Sequence, residues 1–247
     1  NEVAFVYRFS MDKIERENVR LFLLCSPHNP VGRVWTREEL TRLVDICARH
    51  GVLIVSDEIH SDFVYEGHTH TMTASVSPQA EAITITCTAP SKTFNLAGLQ
   101  VSNIFIADDA LRRRFREAIA QTGYSQLNTV GLAACFAAYT EGAEWLLQLK
   151  EYLRENLSYT RAFFAERLPK LRLIEPEGTY LLWVDCRGLL LSPAKLDRFI
   201  VHNARLWLDD GAIFGKDGEG FERFNIACPR SVLTEAYTRL ANAAEAL

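Results

Sequence analysis

No segment of this 247-residue chain approaches the roughly 20 consecutive apolar residues that span a bilayer, so a crossing helix is excluded. The longest apolar runs, such as Leu21–Cys25 and Gly51–Val55, have the length of buried strands. The N-terminus lacks the basic segment and apolar stretch of a signal peptide. It also lacks an initiator Met, and Asn1 reads as a cut inside a longer chain. Basic charge is not in excess: 27 Lys and Arg stand against 31 Asp and Glu, a net charge of −4, so nucleic acid is not an expected partner. No CxxC pair occurs among the six cysteines, Cys25, Cys47, Cys87, Cys135, Cys186 and Cys228. They are expected to be buried free thiols in a reducing cytoplasm rather than disulfides or zinc ligands. Repeats and low-complexity segments are absent as well, and 48% hydrophobic against 23% charged residues is the composition of a folded globular chain.

What is present is an alternation of strand and helix over the first two-thirds. Val19–Cys25 reads as a buried strand. Thr36 with Glu39 forms a capping box for a helix that runs to about His50, with Leu40, Leu43, Val44 and Cys47 on one face and Gly51 as its stop. Further strands are predicted at Val52–Ser56, Ala82–Cys87 and Val101–Ala107, then an amphipathic helix at Asp108–Ala120 with a solvated basic face. Continuous apolar strands between helices predict an α/β sheet covered on both sides, with ligands beyond the carboxyl ends of its strands. Asn29, Asp57 and Lys92 all follow such ends. Residues 128–168 are helical in pattern, with Gly142 as a weak break. After Pro169, strands at Leu171–Ile174, Tyr180–Asp185 and Arg223–Cys228 and helices at Ser192–His202 and Ser231–Ala246 suggest a smaller α+β domain. The expected division is residues 1–145, part of a large domain with the start of the interdomain helices, and 146–247, the small domain.

Four segments could carry chemistry. Lys92 lies in a Ser/Thr-rich turn after a strand, where hydroxyl and N–H donors suit an anion and a lysine can serve as a Schiff-base amine once its proton is lost. Asp57 ends a strand, where a carboxylate can pair with a pyridinium nitrogen. Asn29 lies in a stiff loop between Pro27 and Pro30, with Asn29–Pro30 a candidate cis bond. Arg230 follows a strand and could grip a carboxylate through its planar fork. Each segment alone is equally a surface lysine, a strand-end cap, a plain turn or a surface ion pair.

Together the segments Asn29-Pro30-x-Gly32, Ser56-Asp57-Glu58-Ile59-His60, Ala89-Pro90-Ser91-Lys92-Thr93-Phe94-Asn95-Leu96-Ala97-Gly98, Gly178-Thr179-Tyr180-Leu181-Leu182-Trp183 and Asn225-x-x-x-Pro229-Arg230 stand in one order. In that order the chain resembles fold-type I, aspartate-aminotransferase-like enzymes dependent on pyridoxal 5′-phosphate (PLP). Within the class I/II aminotransferase superfamily it is most similar to the branch of the MalY/PatB cystathionine β-lyases. The resemblance implies an α/β fold with a large sheet domain, partial here, and a small C-terminal α+β domain. It implies that Lys92 forms the Schiff base with PLP and then moves the Cα proton. Asp57 would face the pyridine nitrogen. Asn29 would hydrogen-bond the ring O3′ and share the substrate side with Arg230, which would grip the α-carboxylate. His60 falls where many relatives carry a tyrosine reaching O3′, and Ser91 and Thr88 would help bind phosphate.

The sequence departs from the common aminotransferase pattern at Gln100, where many members place an arginine for the phosphate, and at Ala89, where Gly or Ser is favoured. Both departures fit the β-lyase branch. The expected activity is C–S β-elimination from cystathionine or cysteine S-conjugates, giving a thiol, pyruvate and ammonia. The alternatives are an aminotransferase and, from another class, a non-catalytic regulatory protein that keeps the fold. A homodimer of the cytoplasm is implied. The chain matches about the last two-thirds of the family, and alone it is expected to bind PLP weakly. His60, His68 and His70 are candidate metal ligands by residue type, but solvated loop histidines are the expectation and no metal site is expected.

Overall fold

In the computed structural model, which describes residues 14, 19–124 and 126–247, two four-stranded sheets organise the chain. By internal contacts the described residues sort into an N-terminal unit, 19–28 with 33–147, and a C-terminal unit, 29–32 with 148–247.

In the N-terminal unit β1 (Leu21–Cys25), β2 (Leu53–Asp57), β3 (Thr84–Thr88) and β4 (Asn103–Ile106) lie side by side in chain order. The first three are parallel and β4 is antiparallel to β3. Parallel pairing demands a crossover, and α1 (Arg37–Arg49) supplies it between β1 and β2. The capping box predicted for α1 is present: Glu39 N–H donates to Thr36 Oγ1 and Thr36 N–H donates to the Glu39 carboxylate. Leu40, Leu43, Val44 and Cys47 are buried against Leu24, Trp35 and Ile54 of the sheet side. Each such aliphatic side chain contributes about 1.5–3 kcal/mol by leaving water.

Two expectations for this unit are corrected. The third strand does not begin at Ala82, because Ser77 caps a short helix, α2 (Pro78–Ile83), that carries residues 82 and 83. The Ser-Pro pair sets that helix: the serine accepts from Ala80 N–H and Pro78 occupies the first turn, where no amide is needed. Nor is the sheet covered on both faces by the described residues. Ile54, Ser56, Thr84 and Thr86 are fully buried on one face, whereas Leu21 and Leu23 on the other are 49% and 73% exposed. The unit continues through α3 (Pro90–Thr93), α4 (Asp109–Gln121) and α5 (Thr129–Glu141). Gly142 ends α5, as its sequence break suggests: a Cβ there would collide with Ala138 O and the Phe94 ring.

The helix α6 (Ala143–Arg167) leads into the C-terminal unit, whose antiparallel sheet has the order β5-β6-β8-β7. Its strands are β5 (Arg172–Leu173), β6 (Leu181–Asp185), β7 (Asp209–Asp210) and β8 (Phe221–Asn225), with α7 (Pro193–Arg198), a π-helical turn over Phe199–Asn203, and α8 (Arg230–Glu245). The two-residue β7 carries only aspartates, so no apolar alternation announced it. An aromatic cluster joins α6, β8 and α8: the Tyr237 ring lies 5.2 Å from Phe164 and 6.1 Å, stacked, from Tyr159. The buried Tyr237 hydroxyl and Thr160 Oγ1 are 2.9 Å apart. No helix among the described residues is long and apolar enough to cross a membrane. All six cysteines are free; Cys47 and Cys186 are buried, and the other four, expected buried, are half-exposed.

Candidate active site

Asp57 is the last residue of β2, and its backbone is clamped on both sides. Asp57 O accepts from Ser26 N–H at 2.9 Å, and the next amide, that of Glu58, donates to Cys87 O at 2.9 Å. The carboxylate points out of the sheet end, exposed, with Oδ1 accepting from Ile59 N–H at 3.1 Å. Register places Asp57 beside Cys87 of β3. Five residues on, Lys92 lies in α3, exposed and with no ion-pair partner among the described residues. Asp57, Thr88, Ser91 and Lys92 are therefore all on the carboxyl edge of one sheet, from two neighbouring parallel strands. Ser91 and Thr88 are both half-buried. The loops after the two strands are tied together, since Thr93 Oγ1 donates to Asp62 Oδ2 at 2.6 Å.

Histidines 60 and 70 are not solvated loop residues. His60 is buried at 3% exposure. His70 Nε2 lies 2.7 Å from Oε2 of Glu58, a carboxylate with no solvent exposure. Glu58 Oε1 also accepts from Ser56 Oγ at 2.8 Å and Thr73 N–H at 3.0 Å. Glu58 thus faces inward while its neighbour Asp57 faces outward. A buried carboxylate needs such partners, and they bring His70 inside. Among the described residues no group of three or more His, Cys, Asp or Glu could hold a metal ion.

The C-terminal unit holds the other two predicted residues. Asn29 precedes a cis peptide bond to Pro30. Its loop is strapped to the Gly178 segment, because Gly32 O accepts from both Glu177 N–H and Gly178 N–H at 2.8 Å. Gly32 has φ of +75°, and a Cβ there would press on Gly178 O and Pro176. Arg230 opens α8. Its Nε donates to Asn156 Oδ1 at 2.8 Å, and its guanidinium lies over Tyr159 with Cζ 4.7 Å from the ring centroid. Its Nη1 and Nη2 have no hydrogen-bond partner among the described residues.

Two residues near Asn29 and Arg230 were not singled out by sequence. Asn156 lies mid-helix in α6 without a motif of its own. Arg223 lies in the segment that carries Arg230, and its place on β8 two residues before Asn225 was its only signal. Ser26 was also missed: it is fully buried just past the end of β1, and its Oγ has no hydrogen-bond partner among the described residues.

The five sequence segments therefore sort into two sets. Ser56–His60 and Ala89–Gly98 build the sheet edge of one unit, and Asn29–Gly32, Gly178–Trp183 and Asn225–Arg230 lie in the other. The chemistry at the sheet edge is that of an amine with no ion-pair partner among the described residues and an outward carboxylate on the neighbouring strand. That donor set fits a PLP group, which takes an amine at its aldehyde and a carboxylate at its ring nitrogen.

The aminotransferase class I and II family profile matches residues 7–240. The chain is 42% identical over 228 residues to cystathionine beta-lyase PatB of Bacillus subtilis (strain 168), across 92% of this chain and 59% of that protein. It is 35% identical over 242 residues to protein MalY of Escherichia coli (strain K12), across 96% of this chain and 61% of that protein. Cystalysin from Treponema denticola, whose crystal structure contains a pyridoxal 5′-phosphate cofactor, superposes with a TM-score of 0.93 at 38% identity, across 98% of this chain and 62% of that one. The chain thus spans about 60% of the length of the relatives it matches.

Proposed function

The chain belongs to the aminotransferase class I and II family, and from that premise we propose that the whole protein is a PLP-dependent C–S β-lyase acting on cystathionine or cysteine S-conjugates. The observation that carries the reading is that Lys92, an amine with no ion-pair partner among the described residues, and Asp57, an outward carboxylate, stand at the carboxyl edge of one sheet after adjacent parallel strands. The names of the relatives, cystathionine beta-lyases among them, support lyase over aminotransferase chemistry.

PLP supplies an electron sink when bound. Lys92 would hold it covalently and would take the proton from the substrate Cα. Asp57 would keep the ring nitrogen protonated. Asn29 would donate to O3′, with His60, on the same stretch of chain as Asp57, to assist. Ser91 and Thr88 would donate to phosphate. Arg230, its Nε fixed by Asn156, would offer Nη1 and Nη2 to the substrate α-carboxylate. The products of that chemistry would be a thiol, pyruvate and ammonia.

The full-length protein incubated with cystathionine or an S-alkylcysteine should release pyruvate without any 2-oxo acid. Strict dependence on such an acceptor would establish the aminotransferase instead. A Lys92→Ala protein that keeps its biological effect would establish the non-catalytic reading. The complete protein is proposed to be a homodimer. Its free cysteines support a reducing, cytoplasmic setting.

A further inference from the structure

The helix α3 is a single turn, Pro90–Thr93, and one turn has too few hydrogen bonds to hold itself. Its place is set by what it is tied to. Pro90 is buried at its start. Just past its end the Phe94 ring lies 5.8 Å from those of Tyr139 and Trp145. Between them Thr93 is fully buried, and its Oγ1 donates to Asp62 Oδ2 at 2.6 Å. That is the length of a hydroxyl bonded to an ionised carboxylate, which is roughly twice as strong as a neutral bond.

Asp62 is itself held. Ser61 N–H donates to Glu58 O and Phe63 N–H donates to His60 O, both at 3.0 Å, and His60 and Phe63 are buried. The bond from Thr93 therefore closes a ring. It runs from Asp57 to Asp62, across to Thr93, back through Lys92 to β3, and across the sheet from Cys87 to Asp57. All of these residues belong to the N-terminal unit. Neighbouring residues of a helical turn leave it about 100° apart, so holding Thr93 inward sets the direction in which Lys92 leaves the backbone. The lysine stem is flexible, and its root is the part the fold controls. A group that meets an amine at one end and a carboxylate at the other tolerates little change in their spacing, since a misplacement of about 1 Å can cost about 100-fold.

We propose that Asp62, through Thr93, is a positioning residue that sets Lys92 at a fixed place relative to Asp57. This role rests on the reading above, in which Lys92 carries PLP and Asp57 faces its ring nitrogen. Asp62 acts on the amine through the turn, not by its own charge.

The test is the rate at which the full-length protein, stripped of cofactor, captures added PLP at Lys92. The neutral ε-amine forms a C=N bond with the aldehyde carbon, and the aldehyde oxygen leaves as water with the two amine protons. Visible absorption follows the step, and borohydride fixes the group on Lys92 for identification by mass. Thr93→Val and Asp62→Ala should each slow capture about tenfold, and the double variant no further, because both remove the same bond. Thr93→Ser and Asp62→Asn keep a donor and an acceptor and should stay within about threefold of wild type. Pyridoxine 5′-phosphate carries an alcohol in place of the aldehyde, and its dissociation constant should change by less than about twofold in every variant. Losses that multiply in the double variant, Asp62→Asn as slow as Asp62→Ala, or binding of the alcohol weakened as much as capture is slowed each overturn the inference. If Thr93→Val does not fold, Asp62→Ala against Asp62→Asn, at a half-buried site, decides alone. Wild-type capture that survives Lys92→Ala overturns the functional reading together with the inference. Lys92-dependent capture that the variants leave unslowed overturns the inference alone.

Discussion

Asn156 Oδ1 lies 2.8 Å from Nε of Arg230, while Nδ2 of the same amide donates to Ile226 O and Cys228 O at 2.8 and 3.1 Å. One fully buried side chain therefore fixes both the arginine and the bend of chain that delivers it. Asn156→Ala leaves those carbonyls without a donor, and the expected loss in chemical denaturation is about 1–3 kcal/mol. In the full-length enzyme KM for an amino-acid substrate should rise roughly tenfold, equivalent to about 1.4 kcal/mol, with kcat changed less. Unchanged KM would remove Asn156 from the support of Arg230.

The pH dependence of stability has two opposed sources. Burial, then Asp210, Asp197 and Asp209, push Glu222 up to about 8. The folded chain keeps a proton that the unfolded chain releases above pH 4.5, so stability falls as pH rises from 4.5 to 8. Burial, then Arg33, pulls His28 down to about 4 from 6.5, so stability falls as pH drops through that window. Between pH 6.5 and 8 only the Glu222 slope remains, up to about 2 kcal/mol. Urea denaturation at those two pH values should show it, and Glu222→Gln should flatten it. A slope that survives the substitution assigns it elsewhere.

Glu58 and His70 tie the end of β2 to the Met72–Ser75 turn. His70→Ala strands a carboxylate without solvent, and the expected loss of stability is about 2–4 kcal/mol. Thermal unfolding measures it. A change under about 0.5 kcal/mol would mean that Glu58 is satisfied by Ser56 and Thr73 alone.

Gly142→Ala sets a methyl against Ala138 O and the Phe94 ring. Phe94 belongs to the segment that holds Lys92 and packs on Tyr139 and Trp145 at 5.8 Å. The substitution should cost about 1–3 kcal/mol by overpacking, read as a lowered midpoint in urea.

Local chemistry was legible in the sequence. The Thr36–Glu39 box, the stop at Gly51 and the four strands of the first sheet follow from caps and apolar runs, and the α/β fold of the family is the one found. Three kinds of residue were not legible. The strand at Asp209–Asp210 exists because β8 offers it a ladder, and nothing in two acids says so. His70 reads as a loop residue until Glu58, twelve positions earlier, is seen to need it. Arg223 and Asn29 are separated by 194 positions, and only folding brings Nη1 of the one to Oδ1 of the other. Partnerships across such distances carry no periodicity to read.

The first sheet ends at β1 and β4, each paired on one side only among the described residues, with Leu23 and Phe105 turned to solvent. A bare ladder edge beside apolar side chains is a template for growth by other chains. Prepared as an isolated polypeptide, residues 1–247 should be colloidally unstable: light scattering should increase with concentration, and a lysine at position 23 should slow that clumping.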